Sequence, residues 1–160
     1  MADESLILLI KEVRDKTFRQ LRNVTEEQAR FAAPGLKNTI LWHAGHRYVV
    51  NERLALAPAT RQPPCEPADW FEMFSWESDP AKVTNWPTLA EVLAKLHEQL
   101  PRYLAAVEQL TTEELNTIVF PDYGWTLRFG IVHALHDEAN HQGEVWLLKK
   151  IYEQTHTPSK

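Results

Sequence analysis

Apolar positions along this chain recur every three or four residues, the spacing of an amphipathic helix, over most of its length. Residues 3–22 carry Leu6, Leu9, Ile10, Val13, Thr17 and Leu21 on one side, with Lys11, Arg14, Asp15 and Lys16 opposite, and predict a first long helix. Thr25-Glu26-Glu27-Gln28 has the form of a capping box opening a short helix to about Phe31, which Pro34-Gly35 ends. Asn38 or Thr39 can cap a second long helix reaching about Leu56. On it Trp42, His46, Val49, Val50 and Arg53 share a face, with His43 at its edge. Thr88-Leu89-Ala90-Glu91 is another capping box, and Leu89, Val92, Leu93, Leu96, Leu100, Tyr103, Leu104 and Val107 stripe a helix to about Leu110. Pro101 lies inside that stripe and is expected to kink it. His97 lies near the edge of the stripe, as a surface or hydrogen-bonded histidine. A short turn begins at Thr111, Pro121-Asp122-Tyr123-Gly124 is turn chemistry, and a last helix runs from about Thr126 to Gln154.

Four long amphipathic helices, no convincing strand pattern and no internal repeat predict an all-α four-helix bundle. One domain spans 1–155, followed by a frayed tail over 156–160 in which His156 meets solvent. Between helices 2 and 3 lies a long irregular connection, residues 57–87, rich in proline and carrying Trp70, Phe71, Phe74, Trp76 and Trp86. Structureless loops of that length are uncommon in small domains unless they are functional. Residues 69–74 are expected to form a helical turn. The aromatic residues then either plug one end of the core or roof a substrate pocket, and the two roles are compatible.

The last helix carries the chemistry. At about 100° per residue, Leu127, Gly130, Ala134, Val145, Leu148 and Tyr152 fall on the core side, and Asp137, Glu138 and His141 fall there too. Polar groups aimed at a core cost several kcal/mol unless bonded or metal-bound. Asp137 and His141 stand one turn apart, so their side chains stack. Glu138 and His141 form an E-x-x-H pair, but a carboxylate-bridged dimetal bundle needs a second such helix, and none is present. A mononuclear centre of His46, Asp137 and His141 fits better. Two imidazoles and a carboxylate would leave coordination positions open, with Glu138 as a supporting partner or general base. The competing reading is a buried Asp–His hydrogen bond without metal. His136, about 140° from His141, belongs to the surface or an interface, and His133, about 80° away, to a pocket wall.

Composition narrows the classes. The 160 residues suit one domain with a real core, and a net charge of −5 offers no basic surface for nucleic acid. The lone Cys65 can form neither an internal disulfide nor a zinc ribbon. Its thiol lies near the pocket mouth or is incidental. No apolar run approaches the roughly 20 residues of a membrane span, and Asp3, Glu4 and Lys11 break any signal-peptide pattern, so a cytoplasmic protein is expected. No serine lies in a nucleophile elbow, and five glycines make no phosphate loop.

The segments Asn38-Thr39-Ile40-Leu41-Trp42-His43-Ala44-Gly45-His46 and His136-Asp137-Glu138-Ala139-Asn140-His141-Gln142-Gly143-Glu144 resemble the W-h-x-x-H and H-x-x-x-H-x-G-[QE] motifs of the DinB/YfiT-like family of metal-binding four-helix bundles. The resemblance implies a DinB-like bundle with His46, rather than His43, and His141 as ligands. Where the family usually places a third histidine, this chain has Asp137. The implied cofactor is one divalent ion, zinc or nickel first, with manganese or iron admitted by the harder oxygen donor. Related proteins include thiol-dependent S-transferases, mycothiol-dependent isomerases and portions of sulfoxide synthases, and members often form homodimers. By resemblance the protein is a metal-dependent transferase or hydrolase acting on a small molecule, with a low-molecular-weight thiol as candidate substrate. Trp42, His43, His133, Trp70 and Trp76 would line its pocket, and Trp146 and Leu147 would suit a homodimer contact. The alternative is a non-catalytic stress-response protein that binds a metal or small molecule.

Overall fold

The computed structural model describes residues 3–156 and is a helical bundle. Its elements are α1 (Glu4–Leu21), α2 (Glu26–Arg30), α3 (Ile40–Asn51), α4 (Ala57–Thr60), α5 (Trp70–Phe74), α6 (Leu89–Glu108), α7 (Thr112–Leu115), β1 (Ile118–Phe120), β2 (Trp125–Thr126) and α8 (Leu127–His156). The capping chemistry sets the starts. Thr25, Thr39, Thr88 and Thr111 each accept a hydrogen bond from a backbone N–H in the first turn of the helix that follows. Thr88 and Thr111 do so in reciprocal capping boxes with Glu91 and Glu114.

The central helix is α3, whose twelve residues are all buried. A helix covered all round belongs to the interior rather than to a surface face. It packs against α8, α6 and α5, while α1 packs against α8 and α6. The apolar core falls into two halves. One gathers Leu21, Leu41, Trp42, Val49, Phe74, Leu96 and Val145, and the other Leu6, Ile10, Val50, Tyr103, Val107, Leu127 and Ile131. Along all four long helices a polar layer separates them: Arg14 and Thr17 on α1, Arg47 and Asn51 on α3, Gln99 on α6, Glu138 and Gln142 on α8.

Three features depart from the sequence pattern. The chain past α3 continues as a π-helical segment, Glu52–Leu56, before α4. There the Leu54 carbonyl approaches α8 so closely that a Cβ added at Gly130 would lie 2.6 Å from its oxygen. The turn at residues 121–124 is the loop of a small antiparallel hairpin, β1 against β2, with Gly124 in the left-handed region at φ +65°. Strands of three and two residues are too short for alternation to register. Arg14, expected on the polar side of α1, is 1% exposed. Pro101 lies within α6, which is assigned as one helix from Leu89 to Glu108. α8 extends through His156, which is exposed and stacks on Tyr152; the rest of the expected tail, 157–160, lies outside the described residues. No helix among the described residues is long and apolar enough to cross a membrane.

Candidate metal centre

The site lies where α3 meets α8, and the connection 61–88 supplies one of its supports. Gly45 makes that possible: a Cβ there would lie 2.3 Å from the Phe74 ring, so only a glycine lets α5 settle on α3. Phe74 then places its carbonyl 2.5 Å from Nδ1 of His46. A carbonyl only accepts, so His46 Nδ1 carries the proton and Nε2 presents its lone pair, the usual support of a ligating imidazole. The Trp42 ring stacks on His46 with centroids 4.5 Å apart, and its Nε1–H donates to Ser78 Oγ at 2.8 Å.

The free Nε2 of His46 lies 3.4 Å from Asp137 Oδ2, and His141 Nε2 lies 3.5 Å from the same oxygen. At those separations neither imidazole makes an aligned hydrogen bond, and Asp137 Oδ2 is buried without a partner. The three donor atoms lie within 4.8 Å of one another, and the cluster could hold a metal ion. Two borderline nitrogens and a hard oxygen around an unpartnered buried carboxylate atom form a fitting donor set. Burial opposes ionisation of Asp137, yet the His141 and His46 imidazoles outweigh it and hold the carboxyl well below its ordinary range. Burial likewise opposes charge on His141, but Asp137 and Glu144 raise it above the ordinary imidazole value. His43 is driven far down, first by burial and then by His141 and Arg47, and stands neutral.

The remaining candidate residues separate. Glu138, expected as a supporting partner or general base, faces the other way. Both of its oxygens bind Arg14, at 3.0 and 3.1 Å, while Thr17 and Asn51 donate to it at 2.7 and 3.0 Å. Adjacent positions on a helix point about 100° apart, and here that angle turns Glu138 from the histidines to Arg14 and Thr17 on α1 and Asn51 at the end of α3. His43 touches the cluster through Trp42 and His141. His133 packs instead against Trp125 and Phe129 at the start of α8. Trp70 is buried between Tyr48 and Phe74, and Trp76 is 55% exposed with its edge on Phe71. A depression of about 620 Å³ is open and lined wholly by residues 69–85 of the connection, without a histidine. A smaller cavity of about 220 Å³ borders the cluster at His43 and Glu144, beside Leu36, Lys37, Asn38, Leu147 and Leu148. His136 is exposed, and His97 stacks on Phe18 with centroids 3.9 Å apart.

Several supporting residues escape the sequence reading. Arg47 is wholly buried with its guanidinium nitrogens unpartnered. Burial pulls it down to about 10, and Glu138, Asp137 and Glu144 offset this through space. Gln99 bonds the Glu52 carboxylate and the Tyr48 carbonyl, and accepts from Arg14 at 2.9 Å. Its position between Leu96 and Tyr103 on the α6 stripe was the available signal. The Phe74 carbonyl carries no such signal, because any residue type supplies one.

Fold and cluster together define a helical bundle with a possible metal site. The family model described as the DinB superfamily matches residues 9–145, and the chain belongs to that superfamily. Among solved structures, a conserved protein of Enterococcus faecalis is similar in fold, with a TM-score of 0.73 and 14% identity over 94% of this chain and 97% of that one. No curated protein matches the sequence significantly.

Proposed function

We propose that the protein binds one divalent ion through His46 Nε2, Asp137 Oδ2 and His141 Nε2 and acts on a small molecule by thiol transfer or hydrolysis. The observation that carries this reading is the buried, unpartnered Asp137 Oδ2 set between two imidazole nitrogens. A bound ion of this kind supplies Lewis acidity and lowers the pKa of a coordinated water or thiol. The chain's own residues prepare the site for it. The Phe74 carbonyl fixes the His46 tautomer, the Trp42 ring covers one side of that imidazole, and Glu144 bonds the far nitrogen of His141 at 2.8 Å. Zinc or nickel suits the two imidazoles best, and the carboxylate extends the range to manganese or iron. The cavity of about 220 Å³ at His43 and Glu144 is the proposed entry for the substrate, with a low-molecular-weight thiol as the proposed class.

A non-catalytic metal-binding role is the second reading. The cavity's size favours it, since ligand pockets usually span about 300–1,000 Å³. For either role the proposed assembly is a homodimer. Phe129, Val132, His136, Ala139, Gly143 and Trp146 follow one another at three- and four-residue steps along the outer face of α8, with Leu147 beside them. The unpaired, exposed Cys65 suits a reducing compartment such as the cytoplasm.

The test is the metal content of protein purified without a histidine tag, compared with His46→Ala and Asp137→Ala. About one equivalent per chain, lost in both variants, supports the reading. Metal-free protein whose melting temperature ignores both chelator and added ions overturns it.

A further inference from the structure

The opposite edge of the His141 ring carries a second group of donors. His141 Nδ1 lies 2.8 Å from Glu144 Oε2 and 2.9 Å from His43 Nδ1. His43 Nδ1 in turn lies 3.0 Å from the same Glu144 oxygen. The three atoms form a nearly equilateral triangle, which hydrogen bonds serve poorly. If both imidazoles direct an N–H at the carboxylate, two donors face each other at 2.9 Å. If only one carries the proton, a single N–H is shared between an imidazole and a carboxylate, and the other nitrogen faces the carboxylate lone pair against lone pair. A cation satisfies all three atoms at once. Ligands held about 2.0–2.2 Å from an ion, at octahedral or tetrahedral angles, lie roughly 2.8–3.5 Å from one another.

The surroundings also suit a cation. His43 is 3% exposed, so its nitrogen is held in place rather than free to turn to water. The group borders the cavity of about 220 Å³, and Asn38, which lines the same cavity, has a buried side-chain carbonyl oxygen without a hydrogen-bond partner. That oxygen is a further donor of the kind a divalent ion accepts. The rest of the coordination would be water, because Glu144 is 55% exposed.

We propose that His43 Nδ1, His141 Nδ1 and Glu144 Oε2 form a second divalent-cation site, joined to the first through the His141 ring. The joining rests on the one-ion reading given above, whereas the outer site stands on its own geometry. An imidazole binds two ions only as imidazolate, so filling both sites releases the ring's last proton to solvent. The outer site is the weaker, being shallower and partly hydrated, and it fills when metal is added to the purified protein.

The test is a titration of metal-free protein with zinc, read by calorimetry and by bound metal after dialysis, for wild type, Asp137→Asn, Glu144→Gln and His141→Ala. Circular dichroism checks that each variant is folded; Glu144→Gln changes an exposed side chain and Asp137→Asn is isosteric. The expected result is two ions per wild-type chain, one in Asp137→Asn, one in Glu144→Gln and none in His141→Ala. Copper(II) at two equivalents gives an independent readout: a pair joined by imidazolate loses electron paramagnetic resonance intensity on cooling, and either single-site variant restores it. One ion in wild type that Glu144→Gln keeps and Asp137→Asn loses overturns the outer site and leaves the inner one standing. One ion that Asp137→Asn keeps and Glu144→Gln loses supports the outer site and overturns the inner. Two ions in both wild type and Glu144→Gln overturn the assignment to Glu144.

Discussion

Adjacent carboxylates on α8 serve different partners. Asp137 faces His46 and His141, whereas Glu138 is wholly buried in an ion pair with Arg14. Breaking a buried pair from one side leaves a charge without compensation, at a cost of about 3–5 kcal/mol. Glu138→Ala is therefore expected to lose about that much stability by denaturant unfolding while still binding metal; a variant of unchanged stability would refute the structural role. Protonation separates the two carboxylates as well. The raised His141 contributes stability that is fully present below its ordinary value of 6.5 and is lost as pH rises through its folded value. The depressed Asp137 contributes stability present above its ordinary 3.8 and lost as pH falls toward its folded value. The metal-free protein should thus gain most from this group between these two ordinary values and lose part of that gain above the upper one. Buried, neutral His43 adds the opposite slope below 6.5. The share of Asp137 and His141 is therefore read as the difference between wild-type and Asp137→Asn melting curves across pH 5–9, a difference expected to narrow as pH rises through the folded value of His141. Metal affinity should rise over the same interval, because the ion competes with the proton on His141. That Asp137 and His141 share the inner arc of α8 was legible from spacing. That Glu138 turns to α1 was not, because periodicity gives an angle and not the identity of the neighbouring helix.

Helices were legible where caps and stripes coincide, as at Thr88 before α6. The burial of α3 on every side was only half legible: its sequence offers one apolar face, and the polar residues of its other face are buried as α3 packs against α6 and α8. The π-helical segment and the hairpin left no periodic trace. The seat of α5 on α3 shows what such hidden contacts do. Gly45→Ala forces the Phe74 ring away, and overpacking of this kind costs about 1–3 kcal/mol. It also shifts the carbonyl that orients His46, a support whose loss typically weakens metal binding about 10–100-fold. Calorimetry on Gly45→Ala should show both effects, and an unchanged metal affinity would uncouple α5 from the site.

Across the whole molecule, a polar layer cuts the core at mid-height and the histidine cluster adjoins it at the contact of α3 and α8. The outer face of α8 stays apolar, with Trp146 at 58% exposure and Leu147 at 45%. If two copies pair there, Trp146→Glu places a charge in the contact and should shift sedimentation from dimer to monomer while leaving the helical content intact. A wild-type monomer at all concentrations would remove the dimer from the proposal. The four-helix bundle was legible from helix count, and its DinB-like character from the resemblance of the segments around His46 and His141; the polar layer emerges only when the four helices are set side by side.

The hydrogen bond from His46 to the Phe74 carbonyl also has a consequence in time. Phe74 is joined to α3 through residues 61–69, which run back over the bundle and are held by Tyr48 and Glu52 at Cys65 and by Arg53 at Glu66. Helices can meet quickly through local contacts, but this support arrives with the connection. In refolding followed by stopped flow, the recovery of tight metal binding should lag behind the recovery of helix, so that uptake of the ion marks a chain whose folding is finished.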